Sequence, residues 1–91
     1  MKYEWDEEKR TENIKKHGVD FVDAVDFVWD TALIGVDKRQ DYGEQRYKSL
    51  GFIDDRLYCL VYTLRSTVVR IISLRKANKR ERSVYEKIIQ G

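Results

Sequence analysis

The side chains most able to do chemistry in this chain are its arginines and tyrosines. Arg65, Arg70 and Arg75 recur every five residues, and Arg46 precedes them, in stretches that otherwise read as sheet. A guanidinium fork matches a phosphate with two parallel hydrogen bonds, and a tyrosine ring offers a stacking face to a base. With Tyr58 and Tyr62 interleaved, the set suits a single-stranded RNA surface. A structural reading competes with it: Tyr58 and Tyr62 lie in the core, and the arginines pair with Glu44, Asp37 or Asp41.

The second feature is Lys16-His17-Gly18, with Lys9 two helical turns earlier on roughly the same face. An imidazole near neutral pH passes a proton in either direction. Equally, a cation at a helix C-terminus is stabilised by the helix dipole and needs no further role. There is no Gly-rich phosphate loop and no recognisable Ser-His-Asp set. One histidine and one cysteine, Cys59, fall short of a closed metal site, so neither a metal nor another cofactor is expected.

These residues must be positioned by an α+β domain. Tyr3-Glu4-Trp5 reads as a short extended start. Asp6 is a good N-cap, Glu7 and Glu8 follow in the first turn, and the helix should stop at Gly18. Asp20 then caps a second helix, in which Phe21, Ala24, Val25 and Val28 follow the i, i+3, i+4, i+7 pattern. Four strand-like runs follow at 33–36, 46–53, 57–64 and 68–74, with turns at Asp54-Asp55 and Ser66-Thr67. Asn78 opens a final helix, with Glu81 completing a capping box and Val84, Tyr85, Ile88 and Ile89 as its apolar stripe. The expected architecture is two N-terminal helices, a four-stranded antiparallel sheet and a C-terminal helix.

A two-residue turn at Ser66-Thr67 sets the pairing of the last two strands: Arg65 faces Val68, Thr63 faces Arg70 and Tyr58 faces Arg75. Alternation then places Arg65 and Arg70 on one face, with Tyr58, Tyr62 and Arg75 on the other.

At 91 residues a single domain spanning 1–91 is expected. An apolar fraction of 42% argues against wholesale disorder, and no run is long enough to cross a membrane. The opening residues have no export signal, and a lone cysteine fits a reduced compartment, so a cytoplasmic protein is expected. Residues 1–45 carry seven Lys or Arg against twelve Asp or Glu, a net of −5; residues 46–91 carry eleven against four, a net of +7. Such a split suits one basic working surface facing a polyanion, or simply a small domain solvated by its charges.

Taken together, Tyr3-Glu4-Trp5-Asp6, Lys9, Asn13, Lys16-His17-Gly18-Val19, Gly43-Glu44-Gln45-Arg46, Tyr62-Thr63-Leu64-Arg65 and Arg70 through Ala77, with Glu81-Arg82 and Tyr85, resemble the BrnT family of type II toxin–antitoxin toxins. Leu74 departs from the alanine more usual there, and Thr31 stands where proline often follows the aspartate. The resemblance implies a RelE-like fold and a metal-independent endoribonuclease that stops translation and growth. It also implies a cognate BrnA-like ribbon-helix-helix antitoxin, two toxins per antitoxin dimer, and contact with operator DNA only through that antitoxin. On this reading Arg65 and Arg75 stabilise phosphate charge, and Arg46, Arg70, Tyr62 and Lys76 hold RNA. His17 and Lys9 are the proton-transfer candidates, and Glu44 is either the base or only orients Arg46. The alternative is a non-catalytic RNA- or partner-binding module acting in autoregulation of its operon.

Overall fold

The computed structural model describes residues 1–90. Its elements in chain order are β1 (Lys2–Glu4), α1 (Glu7–His17), a 3-10 helix (Phe21–Asp26), β2 (Leu33–Val36), β3 (Tyr47–Ile53), β4 (Arg56–Arg65), β5 (Val68–Lys76) and α2 (Lys79–Gln90). The sheet has five strands in the order β1-β5-β4-β3-β2. Three pairings are antiparallel, but β1 runs parallel to β5, with Tyr3 opposite Val69. The expected four-stranded antiparallel sheet is therefore a five-stranded mixed one. Three residues carried too little pattern to mark β1 as more than an extended start. No helix among the described residues is long and apolar enough to cross a membrane.

The helix ends obey local chemistry. The Asp6 carboxylate accepts from the amides of Glu8 and Lys9, and Gly18, at φ 70°, closes α1 by donating its amide to the Ile14 carbonyl. Asn78 and Glu81 form the reciprocal capping box at the start of α2. The second helix is a correction. It winds as a six-residue 3-10 segment, and Phe21, Ala24 and Phe27, spaced by three, are the buried set. Val25 and Val28, which a 3.6-residue period would bury, are exposed.

Two apolar clusters sandwich the sheet. One, built on Phe21, Phe27, Leu60, Tyr62 and Leu74, lies under the N-terminal segments; the other, built on Leu50, Leu57, Cys59 and Tyr85, lies under α2. The tip of the Phe27 ring packs against Gly51, where an added Cβ would overlap the ring.

On its side away from β4, the upper half of β5 has no neighbouring strand, because β1 reaches only Arg70. There the buried Asn13 of α1 takes a strand's place. Its Nδ2 donates to the Leu74 carbonyl at 2.7 Å, and its Oδ1 accepts from the Leu74 amide at 3.2 Å. The same Nδ2 donates to the Val19 carbonyl at 2.9 Å. Arg10 adds a bidentate bond to Asp20 at 2.8 and 2.9 Å, fixing α1 to the 3-10 segment.

Two substitutions test this packing. Asn13→Ala leaves two buried carbonyls and one amide without partners and should lower unfolding stability by about 2 kcal/mol or more in urea titrations. Gly51→Ala should cost about 1–3 kcal/mol by displacing the Phe27 ring, whereas Thr11→Ala on the exposed side of α1 should change little.

Candidate functional site

Pairing along β4 and β5 follows the expected register from Arg65 opposite Val68 to Tyr62 opposite Ile71. It then slips by one residue, so that Val61 faces Ser73, Cys59 faces Arg75 and Tyr58 faces Lys76. This β-bulge overturns the face expected for Arg75. Residues directly opposite one another project from one face of a sheet. Arg65, Arg70 and Arg75 therefore share the α2 side, together with Lys48 opposite Val61. Tyr58, Tyr62 and Lys76 project from the other side. The bulge was invisible in sequence because no glycine marks it.

Tyr62 is 3% exposed, stacks on Tyr47 and shares a 2.8 Å hydrogen bond with the Ser49 hydroxyl. Its ring is closed to a base, and Tyr58 packs on the same cluster. For Tyr62 the structural reading is right; Tyr58 is only partly buried. Lys76 is exposed on that opposite face, away from Arg75.

Three of the four arginines are ion-paired. Arg70 contacts Glu4 at 3.1 Å, Arg75 takes Glu81 in a two-pronged bond at 2.8 and 2.9 Å, and Arg46 lies 3.5 Å from Glu44. Only the Glu44 pair was among those foreseen. Arg65, exposed at the hairpin end, has no ion pair among the described residues. The Arg46 guanidinium lies 4.0 Å over the Tyr42 ring, while its buried Nε makes no hydrogen bond. Glu44 thus lies beside Arg46 in the loop before β3. In the same loop Asp37 is buried and accepts two bonds from the Arg39 guanidinium, at 2.8 and 2.7 Å.

The centre of this face is Glu81, a buried carboxylate. Besides Arg75 it accepts from the Asn78 amide and lies 2.9 Å from the Lys48 ammonium. Burial pushes its carboxyl up, but the bonds from Arg75, the Asn78 amide and Lys48 overcome that and hold it at about 2. The same bond keeps Arg75 firmly protonated. Sequence reasoning saw Glu81 only as a cap and missed Lys48. Its signal was the alternation that puts Lys48 in line with Leu50 and Phe52.

Lys9 and His17 line one shallow groove of about 200 Å³ between α1 and the bulge, with Lys16, Asn13 and Ser73. Partial burial pushes the His17 imidazole below its ordinary value, and the charges of Lys16 and Arg75 add to the effect. Neutral at pH 7, it is fitted to accept a proton. The Cys59 thiol lies near the same charges, but burial pushes it up and removes it as a nucleophile. Among the described residues no cluster of His, Cys, Asp and Glu could hold a metal ion. The arrangement is a row of cations, of which Arg75 and Lys48 are fixed on Glu81, with an imidazole in the groove by Ser73; such a set can bind a phosphodiester and move a proton at its edge.

The family model for the ribonuclease toxin BrnT of type II toxin–antitoxin systems matches residues 5–81, a span that includes Lys9, His17, Lys48, Arg75 and Glu81. No curated protein matches the sequence.

The depressed carboxyls make stability depend on acid. Glu81 and Asp37 both sit at about 2 in the folded chain, below their ordinary values. A carboxyl lowered on folding contributes fully above its unfolded value and loses that contribution as pH falls through its folded one. Melting temperature should therefore drop between about pH 5 and pH 2, and Glu81→Gln should flatten that drop while lowering the neutral-pH plateau. A wild-type melting temperature unchanged from pH 5 to pH 2 would contradict the pairing.

Proposed function

Because the chain belongs to the BrnT family of type II toxin–antitoxin ribonuclease toxins, we propose that its α2-side sheet face holds single-stranded RNA and cleaves it without a metal ion. The observation that carries this reading is the set of Arg75 and Lys48 fixed on one carboxylate, on a sheet whose β5 bulge is flanked by the groove that His17 and Lys9 line with Ser73. Metal-free cleavage needs a base for the 2′-hydroxyl proton, an acid for the departing 5′-oxygen and fixed cations for the charge on phosphorus.

In this reading His17 removes the 2′-hydroxyl proton, and the oxygen attacks phosphorus. Arg75 bonds the non-bridging oxygens, and the 5′-oxygen leaves with a proton from Lys48. Lys9 sits eight residues before His17, roughly 12 Å along the helix axis. That separation suits a neighbouring phosphate better than the reacting one. Arg65 and Arg70 extend the cationic row along the sheet, and Arg46 with Glu44 contacts the backbone beyond it. Tyr62 and Lys76 drop out of the RNA surface, the first by burial and the second by its face. The product is a 2′,3′-cyclic phosphate, and the cellular consequence is inhibited translation and growth. A BrnA-like ribbon-helix-helix antitoxin, with two toxins per antitoxin dimer, neutralises the activity and alone contacts operator DNA.

Cleavage of an RNA oligonucleotide by the purified chain should persist in excess EDTA and yield the cyclic phosphate. Arg75→Ala should lose roughly 10²-fold or more in rate while remaining folded, and Arg75→Lys should recover only part, because lysine keeps the charge and loses the fork. The rate should rise with pH through an ionisation below about 6.5, the ordinary histidine value. Activity that requires Mg²⁺, or a folded Arg75→Ala that cuts at the wild-type rate, would overturn the mechanism. RNA binding without cleavage in the wild type would favour the autoregulatory binding module instead.

A further inference from the structure

The two edges of the sheet are not alike. β1 is three residues long and carries Lys2 and Glu4, two features that discourage pairing by a foreign strand. β2 reads Leu-Ile-Gly-Val, carries no charge, and leaves Ile34 53% and Val36 44% exposed. Its backbone is half open as well. The Asp37 amide bonds the Arg46 carbonyl, which continues the β2–β3 ladder by one residue. In an antiparallel pair hydrogen-bonded positions alternate. Leu33 and Gly35 therefore spend their amides and carbonyls on β3, and Ile34 and Val36 direct theirs outward.

We propose that this edge takes an extended segment of the family's antitoxin as a sixth strand, apolar at alternate residues and acidic between them. The two faces beside β2 specify that pattern. Ile34 and Val36 project with the N-terminal cluster, opposite Ser49 and Tyr47, and call for apolar partners. On the other face Gly35 lies opposite Lys48, and a Cβ there would meet only the Lys48 carbonyl at 3.8 Å. An added strand therefore finds no side chain at Gly35 between itself and the Lys48 ammonium. Glu81 is the one carboxylate shared by Lys48 and Arg75, so this spot retains a positive charge for an incoming acid. Docking and neutralisation then become one event, because the acid beside Gly35 occupies a cation of the RNA face. The inference rests on the family's antitoxin and on the β2 edge, and stands or falls separately from the catalytic steps.

Amide hydrogen exchange on the full chain, free and bound to the antitoxin encoded with it, tests this directly. The Ile34 and Val36 amides should slow roughly tenfold or more on binding, and Gly35 between them should not change, because it is already bonded. Simple covering of the surface would slow no such alternate set. Unchanged Ile34 and Val36, or slowing confined to the groove around Tyr85 on α2, would overturn the proposal. Slowing at Ile34 and Val36 in the free chain as its concentration rises would do the same, assigning the edge to a second copy. Ile34→Pro removes one outward donor and leaves the β3 ladder intact; it should weaken antitoxin binding roughly tenfold without changing RNA cleavage by the free chain. Ile34→Lys gives the same reading should the proline disturb β2, and full affinity in a folded variant would contradict the added strand.

Discussion

A strand edge buried against a helix must find hydrogen bonds for its peptide groups, and in this protein one asparagine supplies them. Asn13 presents its amide to Leu74 as a neighbouring strand would, accepting from the amide and donating to the carbonyl. That single match sets the height and rotation of α1 along β5. It explains how an 11-residue helix with little apolar surface, whose Ile14 is exposed, packs firmly at all. Its consequence at the helix end is that, with Asn13 docked at Leu74, His17 comes to rest one turn further on, in the groove it shares with Ser73.

The bulge works together with that contact. Without the slip after Tyr62, Arg75 would sit opposite Tyr58 and point away from Arg65 and Arg70. With it, the cations gather on one side and the tyrosines are left to the core on the other. In the proposed mechanism, the paired state of those cations suits catalysis rather than opposing it. Glu81 fixes Arg75 and Lys48 in place before substrate arrives, and its hydrogen bonds satisfy a carboxylate that would otherwise be costly to bury. Two cations on one carboxylate leave net positive charge, so on the proposed reading stabilisation of the transition state needs little reorganisation.

Much of this was legible in the sequence because it depends on short-range chemistry. Asp6, Gly18 and the Asn78–Glu81 box were readable as caps, and both two-residue turns follow from where the strands stop and restart. What escaped depends on distant partners. β1 is defined only by β5 beside it, and Asn13 reads only as a side chain whose stem helps cover the core until Leu74 is placed next to its amide. The bulge reversed the face of Arg75 while leaving Arg65 and Arg70 correctly paired, since an error of one residue propagates only beyond the slip. The 3-10 segment was misread as an α-helix because Phe21 and Ala24 fit both periods, and the difference rests on Phe27 against Gly51. Lys48 was missed because a single lysine within an apolar run reads as a solvated side chain until Glu81 is seen to receive it.

The central claim is that RNA lies on the α2 side of the sheet, across Arg75, Lys48 and the His17 groove. A short 2′-O-methyl RNA oligonucleotide, which binds but offers no free 2′-hydroxyl to attack, allows this to be mapped by chemical-shift perturbation. The account predicts shifts at His17, Lys48, Ser73 and Arg75, with Tyr58 and Lys76 on the opposite face unmoved. Shifts centred on Tyr58 and Lys76, with the Arg75–Glu81 pair undisturbed, would contradict it.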